Sequence, residues 1–501
     1  MARYSGVRLM GDRYGGLMQP FFERKPLATP TTTESTTEDF ALVLSRFAQA
    51  ASIKSLPASA IAAAKINLFD TLACAVAGST AAAVAEVRDL AVSWGGAPQA
   101  SVLVYGDKIP AHHAAWVNGT MAHARDYDDA HDAAVLHAGV SVVPAALAAA
   151  ELRGGVSGAD LIAGIAVGLE TICRLGVATK ITIIESGYMY TPLFGHFAAT
   201  LAAARVLGLN EAQTVNALGI SYSQVAGNHQ VTRDAALTKR MQPGFSAMSA
   251  LLSVQIAQRG IRGVQNTFEG ADGFLRVYLH DRCDREVLRE GLGQRYEFEQ
   301  LSYKPYPCCR FNHSAIDAVL AMRAATGISH ERVKRIRVGL NNQAYEAVCT
   351  PIDIRKAPRT VVQAQFSIPY TVSTALVDGS VGLRHFAEPS LQRPDILALA
   401  QKVEPYVDEG IERTSGRGVT PAIVTVEMED GSVHSHRVDV PFGHPTHPMS
   451  VAVSDAKAVD CFRAAAVPLR EDAPSQLRQL VDGLELVDDV RSITRALTPA
   501  S

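Results

Sequence analysis

Between Asp39 and Gln300 the chain is a succession of alanine-rich apolar segments with helical periodicity, separated by short breakers. Such text can bury itself only as helix against helix. In Ala58–Ala77 the residues Ile61, Ala64, Ile66, Leu68, Leu72 and Val76 fall on one apolar face. Similar runs occupy Val140–Arg153, Gly158–Ala178, Phe194–Leu207, Glu211–Val225 and Ser246–Arg259. Gly154-Gly155 follows one of them, Ser157 is placed to cap the next, and Gly208 ends another. With alanine so frequent, the helix backbones can approach closely in a bundle. None of these runs is expected to cross a membrane, because polar residues interrupt each one before the roughly 18–20 apolar positions a crossing needs.

The pattern changes after Ser302. Val333–Asn341 alternates apolar and polar residues as a half-buried strand does, and Ala422–Met428 and Val433–Val440 repeat the pattern around a hairpin signal, Asp430-Gly431. Helical text lies between them at Ala315–Ala325 and Ser367–Val377, and Asp455–Leu497 returns to amphipathic helix. The expected fold is mainly α: residues 38–302 form a large all-helical domain, 303–445 a smaller α+β lid domain, and 446–501 return to the large domain. Residues 1–37 carry Arg3, Arg8, Arg13 and Arg24 and a Thr/Ser/Pro tract, with no apolar core for a secretory signal. They are expected to be a disordered extension.

A formal net charge of -3 over 501 residues gives no clustered basic excess, so neither nucleic acid nor an anionic membrane is an expected partner. A small ligand or a second subunit is. The seven cysteines are scattered apart from Cys308-Cys309, with no metal or redox spacing, which fits a reducing compartment such as the cytoplasm. Nucleotide-binding glycine loops, H-E-x-x-H and G-x-S-x-G are all missing.

Four segments can carry chemistry. The first is His123-Ala-Arg-Asp126-Tyr127-Asp128-Asp129-Ala-His131-Asp132, followed by His137. Its spacing fits a solvated, helix-capping loop, an acid–base site or a metal site, and does not choose among them. The second is the adjacent pair Lys239-Arg240, a point charge beside a bidentate fork and so a plausible carboxylate clamp. Third comes Tyr303-Lys304-Pro305-Tyr306-Pro307-Cys308-Cys309-Arg310, a stiff run ending where His313 opens a helix at the expected domain boundary. The fourth is Ala364–Tyr370, which leads into a helix; its Tyr370 is either a donor to substrate or a core residue.

In this order the four segments resemble the MmgE/PrpD family, which includes 2-methylcitrate dehydratase, cis-aconitate decarboxylase and iminodisuccinate epimerase. The resemblance runs from about residue 40 to 497. His123, Asp126, Tyr127, Asp128 and Asp129 match the family's H-x-x-D-[FY]-D-D motif. It implies a helical domain with an α+β lid, a homodimer, no cofactor and no metal. It also implies active-site roles for Asp126, His137, Lys239, Lys304 and Tyr370, with Arg240, Thr191, Cys309, His313 and Met189 near the substrate. Met189 stands where the family often has a histidine, and a thioether cannot transfer a proton. Tyr188, Tyr190, His196 and His229 are the neighbours that could take its place. Cys309 and Ala130 replace a histidine and a threonine of the decarboxylase branch, which counts against decarboxylation of cis-aconitate.

The activity implied is that of a lyase on a small polycarboxylic acid, most simply a 2-methylcitrate dehydratase-like hydro-lyase. His137 or Asp126 would be the base, with Lys239 and Lys304 stabilising the enediolate-like charge. Epimerisation, decarboxylation and non-catalytic binding on the same fold are the alternatives.

Overall fold

Small side chains on the helix faces set the spacing of the first region. In the computed structural model, which describes residues 38–415 and 421–499, the helices Ala111–His123 and Thr238–Gln258 lie against each other. Their backbones touch at Gly119 and Gly244: a Cβ on Gly119 would stand 2.8 Å from the Gly244 Cα. Around this pair pack Ala58–Gly78, Gly139–Leu152 and Tyr190–Leu207, with Gly158–Ala178 against the last of these. Gly119→Leu is therefore expected to force the two helices apart. Overpacking of this kind costs about 1–3 kcal/mol, to be read from the urea midpoint. Turnover should fall with it, because these two helices carry His123 and Lys239.

The apolar residues form two clusters. One takes in Phe40 to Leu301 and is rejoined by Ala458 to Leu497; the other lies within Cys308–Met428. The second cluster is built on a four-stranded sheet in the order Val403–Val407, Val333–Leu340, Ala422–Met428, Val433–Val438. The first pair is parallel and the other two are antiparallel. Helices His313–Thr326 and Ile368–Asp378 pack with it. The fold is mainly α, with a smaller α+β part.

Several expectations need correcting. The helix carrying Lys239 starts at Thr238, eight residues before the sequence signal at Ser246, and runs through Pro243. The proline removes only one rung, near the helix start. Tyr190–Leu207 likewise begins before Phe194, with Pro192 in its first turn, where no backbone N–H is needed. The helical text of Asp455–Leu497 falls in three helices, Val451–Arg463, Ala473–Asp482 and Arg491–Ala496. Two helices, Ala58–Gly78 and Gly158–Ala178, are after all long and apolar enough to span a membrane. Their apolar stretches are 72% and 94% buried inside the protein, so they serve as core helices here. The extension at 1–37 lies outside the described residues.

Candidate active site

A short antiparallel ladder draws the motifs together. Ala130–His131 pairs with Leu301–Ser302, which brings the acidic loop alongside the strand that leads into Tyr303 and Lys304. The loop's aspartates then divide the work. Asp126, held at φ +52, receives Lys239 Nζ on Oδ2 at 2.8 Å and Lys304 Nζ on Oδ1 at 2.6 Å. A left-handed backbone is tolerated by aspartate better than by most residues. Lys304 also donates to the Asp126 carbonyl at 3.0 Å. Burial opposes the charge of Asp126, but Lys239 and Lys304 outweigh it and hold the carboxyl well below the usual range. Lys304 is fully buried too, yet Asp126 and then Asp128 keep its ammonium above the usual lysine range.

Asp128 Oδ2 lies 2.9 Å from His123 Nδ1 and 3.3 Å from His137 Nδ1. Lys239 Nζ stands 3.1 Å from His123 Nε2, so that nitrogen accepts and the proton of His123 is assigned to Nδ1. His137 Nδ1 is 2.5 Å from the Asp129 carbonyl, an acceptor only, which places its proton on Nδ1 as well. Among the described residues His137 Nε2 makes no hydrogen bond. Burial, then Lys304, pushes the His137 pKa down to about 3, so the imidazole rests neutral.

Asp129 satisfies the capping reading instead. Its carboxylate accepts from the backbone N–H groups of Ala138 and Gly139 at 2.7 Å each and from Asn67 at 2.6 Å, at the start of Gly139–Leu152. Burial and the nearby Asp128 push its pKa up to about 6. Only glycine fits at 139, since a Cβ would meet Thr71 Oγ1 at 2.2 Å.

Above this network lies a cavity whose wall includes Asp126, His137, Lys239, Met189, Cys309 and Phe366, with residues of both hydrophobic clusters around it. Phe366 covers the Lys239 ammonium at 5.2 Å, within cation–π range. Burial pushes the Cys309 thiol up to about 11, so it is not a resting nucleophile. Arg240 sits behind Lys239 in a small cleft, donates to the Ala82 carbonyl at 3.0 Å and makes no ion pair among the described residues.

Other expected site residues stand elsewhere. Lys304 does not line the cavity; it holds Asp126 from below. Thr191 accepts the His137 backbone N–H at 2.9 Å rather than facing the cavity. His313 is buried between Arg310 Nη1 at 3.2 Å and the Cys308 carbonyl at 3.3 Å. Tyr370 is a core residue of the second cluster, its hydroxyl donating to the His385 carbonyl at 2.6 Å, and no substrate in the cavity would touch it. Of the four neighbours of Met189, His229 lines the cavity. Tyr190 donates to the Ile181 carbonyl, Tyr188 packs on Tyr278, and His196 is buried in its helix.

Sequence reasoning included Arg310 and Asp132 in its candidate segments without giving them a role, and missed that of Gln365. Arg310 and Asp132 form an ion pair at 3.3 Å in the cavity wall. Gln365 binds the Arg125 and Pro307 carbonyls, tying the acidic loop to the Lys304 segment. Arg310 stood in plain view at the end of the run from Tyr303; Gln365 gave no signal.

His123, Asp128 and His137 offer three metal-ligand atoms within 4.8 Å of one another. The Lys239 ammonium is bonded to His123, and Asp128 is shared between two N–H donors. A cation there would have to displace that network beside two positive charges.

Two family models match the chain, the MmgE/PrpD N-terminal domain over residues 43–286 and the MmgE/PrpD C-terminal domain over residues 306–482. The chain belongs to the MmgE/PrpD family. Among its relatives, cis-aconitate decarboxylase of Aspergillus terreus is 25% identical over 461 residues, covering 88% of this chain and 92% of that protein. The human cis-aconitate decarboxylase is 25% identical over 450 residues, covering 86% and 89%. A cis-aconitate decarboxylase-like protein of Aspergillus oryzae is 27% identical over 407 residues, covering 77% and 83%. Within this MmgE/PrpD chain, Ala130 and Cys309 both lie in the cavity wall.

Proposed function

We propose that this protein is a lyase for a small polycarboxylic acid that moves a proton at the carbon next to a carboxylate, without a metal. The observation that carries the reading is His137: a neutral imidazole with Nδ1 tied back and Nε2 unused, in the same cavity wall as Lys239. A C–H proton passes to Nε2, and the enediolate-like charge that develops is met by the Lys239 ammonium. Lys304 and Asp126 act at one remove, fixing Lys239 in place. Asp126 is a poor base between two ammonium groups. Arg240, without a carboxylate partner among the described residues, stands in a small cleft that shares Asp126, Lys239 and Phe366 with the cavity and is the receptor for a remote carboxylate. A base resting at so low a pKa gains proton affinity when an anionic substrate enters.

The reaction we favour is loss of water from a 2-methylcitrate-like hydroxy acid. His229 then supplies the proton transfer to the departing hydroxyl that Met189 cannot. The names of the relatives support decarboxylation as a second reading, while Ala130 and Cys309 weigh against it. The homodimer implied by the resemblance and the cytoplasmic setting suggested by the scattered cysteines belong to the same proposal.

Proton NMR in deuterated water with 2-methylcitrate, citrate, cis-aconitate and iminodisuccinate separates these chemistries. A new vinylic signal from a hydroxy acid is the expected result. Deuterium in a decarboxylated product of cis-aconitate would move the assignment to the second reading. Exchange without elimination would make the protein an epimerase. If none of the four acids reacts or exchanges, the lyase reading with these substrates is wrong.

A further inference from the structure

The cavity has two unlike sides. The charged groups on one side are spoken for: Lys239 by Asp126 and His123, Arg310 by Asp132. The remaining surface is mostly carbon, from Val135, Leu136, Ile183 and Met189, interrupted by His229 and by Thr232, whose hydroxyl reaches the Met189 sulfur at 3.9 Å. A citrate-like acid carries polar groups on every carbon but two, and would leave this surface facing hydroxyls or carboxylates without donors. That mismatch costs binding, since a polar group moved from water to an apolar wall loses its hydrogen bonds.

Two further observations point the same way. Val135 is held at φ +55, a conformation unfavourable for a β-branched side chain, and it lines the cavity in that state. It also packs against both hydrophobic clusters. Second, a smaller cleft adjoins the cavity and shares Val135 and Ile183 with it. Ala134, Ile181 and Tyr190 line it beside Thr182 and Gln343, so apolar surface continues beyond the two residues shared with the cavity.

We infer that the substrate is a polycarboxylic acid bearing an apolar substituent several carbons long, its carboxylates toward Lys239 and Arg240 and its alkyl chain against Val135, Ile183 and Met189. This rests on the lyase reading for its acid head and adds the tail. The presence of Met189 where a histidine was expected is then accounted for, because its thioether gives the chain a polarisable apolar contact.

The test measures binding and chemistry separately, on the full-length protein. Citrates substituted at C2 with methyl, n-butyl and n-hexyl chains are titrated by calorimetry and followed by NMR for C–H exchange and elimination. Affinity should rise about two- to fourfold per methylene buried, so that n-butyl binds at least about eightfold more tightly than methyl. Met189→Gln and Ile183→Asn should each flatten that rise. Affinity that is flat or falling beyond methyl in the unaltered enzyme, with exchange intact, overturns the alkyl seat and leaves the lyase. A rise that both variants retain in full places the chain elsewhere and overturns it too. A rise with no exchange or elimination on any acid supports the seat and sinks the lyase reading. If no acid binds, both are wrong.

Discussion

Lys239→Ala and His137→Ala should each lower turnover by about two orders of magnitude or more while leaving a folded protein. Among the described residues Lys239 is the one ammonium that both lines the cavity and is held by two partners, Asp126 Oδ2 at 2.8 Å and His123 Nε2 at 3.1 Å. Removing it takes away the charge that meets the enediolate. Removing His137 takes away the free Nε2. Steady-state kinetics on a turned-over acid should show the loss in kcat. Arg240→Met, by contrast, should act mainly on KM, because a remote carboxylate is bound alike in ground and transition states. The pH profile gives a second readout. A base whose pKa is about 3 in the free enzyme becomes protonated only well below the usual histidine range. The acid limb of kcat/KM should therefore lie low, and that of kcat higher, since bound anion raises His137. A limb near pH 6 that Asp129→Asn abolishes belongs to the helix cap, whose pKa is about 6. If both alanine variants keep near wild-type turnover, the site has been misplaced.

Legibility in the sequence followed the range of the interaction. Local signals read well: the alanine-rich helices by their period, the Ala422–Met428 and Val433–Val438 hairpin by Asp430-Gly431, the helix at His313 by the prolines before it. Pro192 and Pro243 hid the true starts of two helices because proline tolerance depends on which carbonyl loses its partner. Val403–Val407 was invisible. It carries Pro405, which an edge strand tolerates, and it pairs with Val333–Leu340 far back in the chain. In the site, Asp126 lies 113 residues from Lys239 and 178 from Lys304, and no local pattern connects them. Only the resemblance grouped the three. The resemblance also named Tyr370, and letters do not say where a hydroxyl points; here it points to the His385 carbonyl. The acidic loop left capping, acid–base chemistry and a metal site open; the structure gives the cap to Asp129 and sets Asp126 among the lysines and Asp128 among the imidazoles.

Asp126→Asn should be the most destabilising conservative change in the site, by about 3–5 kcal/mol, measured by chemical denaturation. The carboxylate is buried between two ammonium groups at 2.6 and 2.8 Å, side-chain exposures being 5% for Asp126, 0% for Lys304 and 9% for Lys239. An amide of the same shape would leave both charges in a poorly solvated place. The effect has a sign in pH. The folded-state pKa of Asp126 is depressed below its unfolded value of about 3.9, so the stabilisation is complete above that value. It is lost as pH falls through the folded-state value. Wild type should thus lose stability in acid more steeply than Asp126→Asn, which has no such proton to take up. Glu409→Gln, in an exposed pair 3.7 Å from Arg413, should leave the midpoint unchanged. The decisive comparison is the double variant Asp126→Asn/Lys304→Met. If the cost of the single change is an uncompensated buried charge, removing one of the two ammonium groups restores part of the stability. A double variant as unstable as the sum of the singles would mean that the triad is held by packing, and that charge compensation is not what keeps Lys239 at the cavity wall.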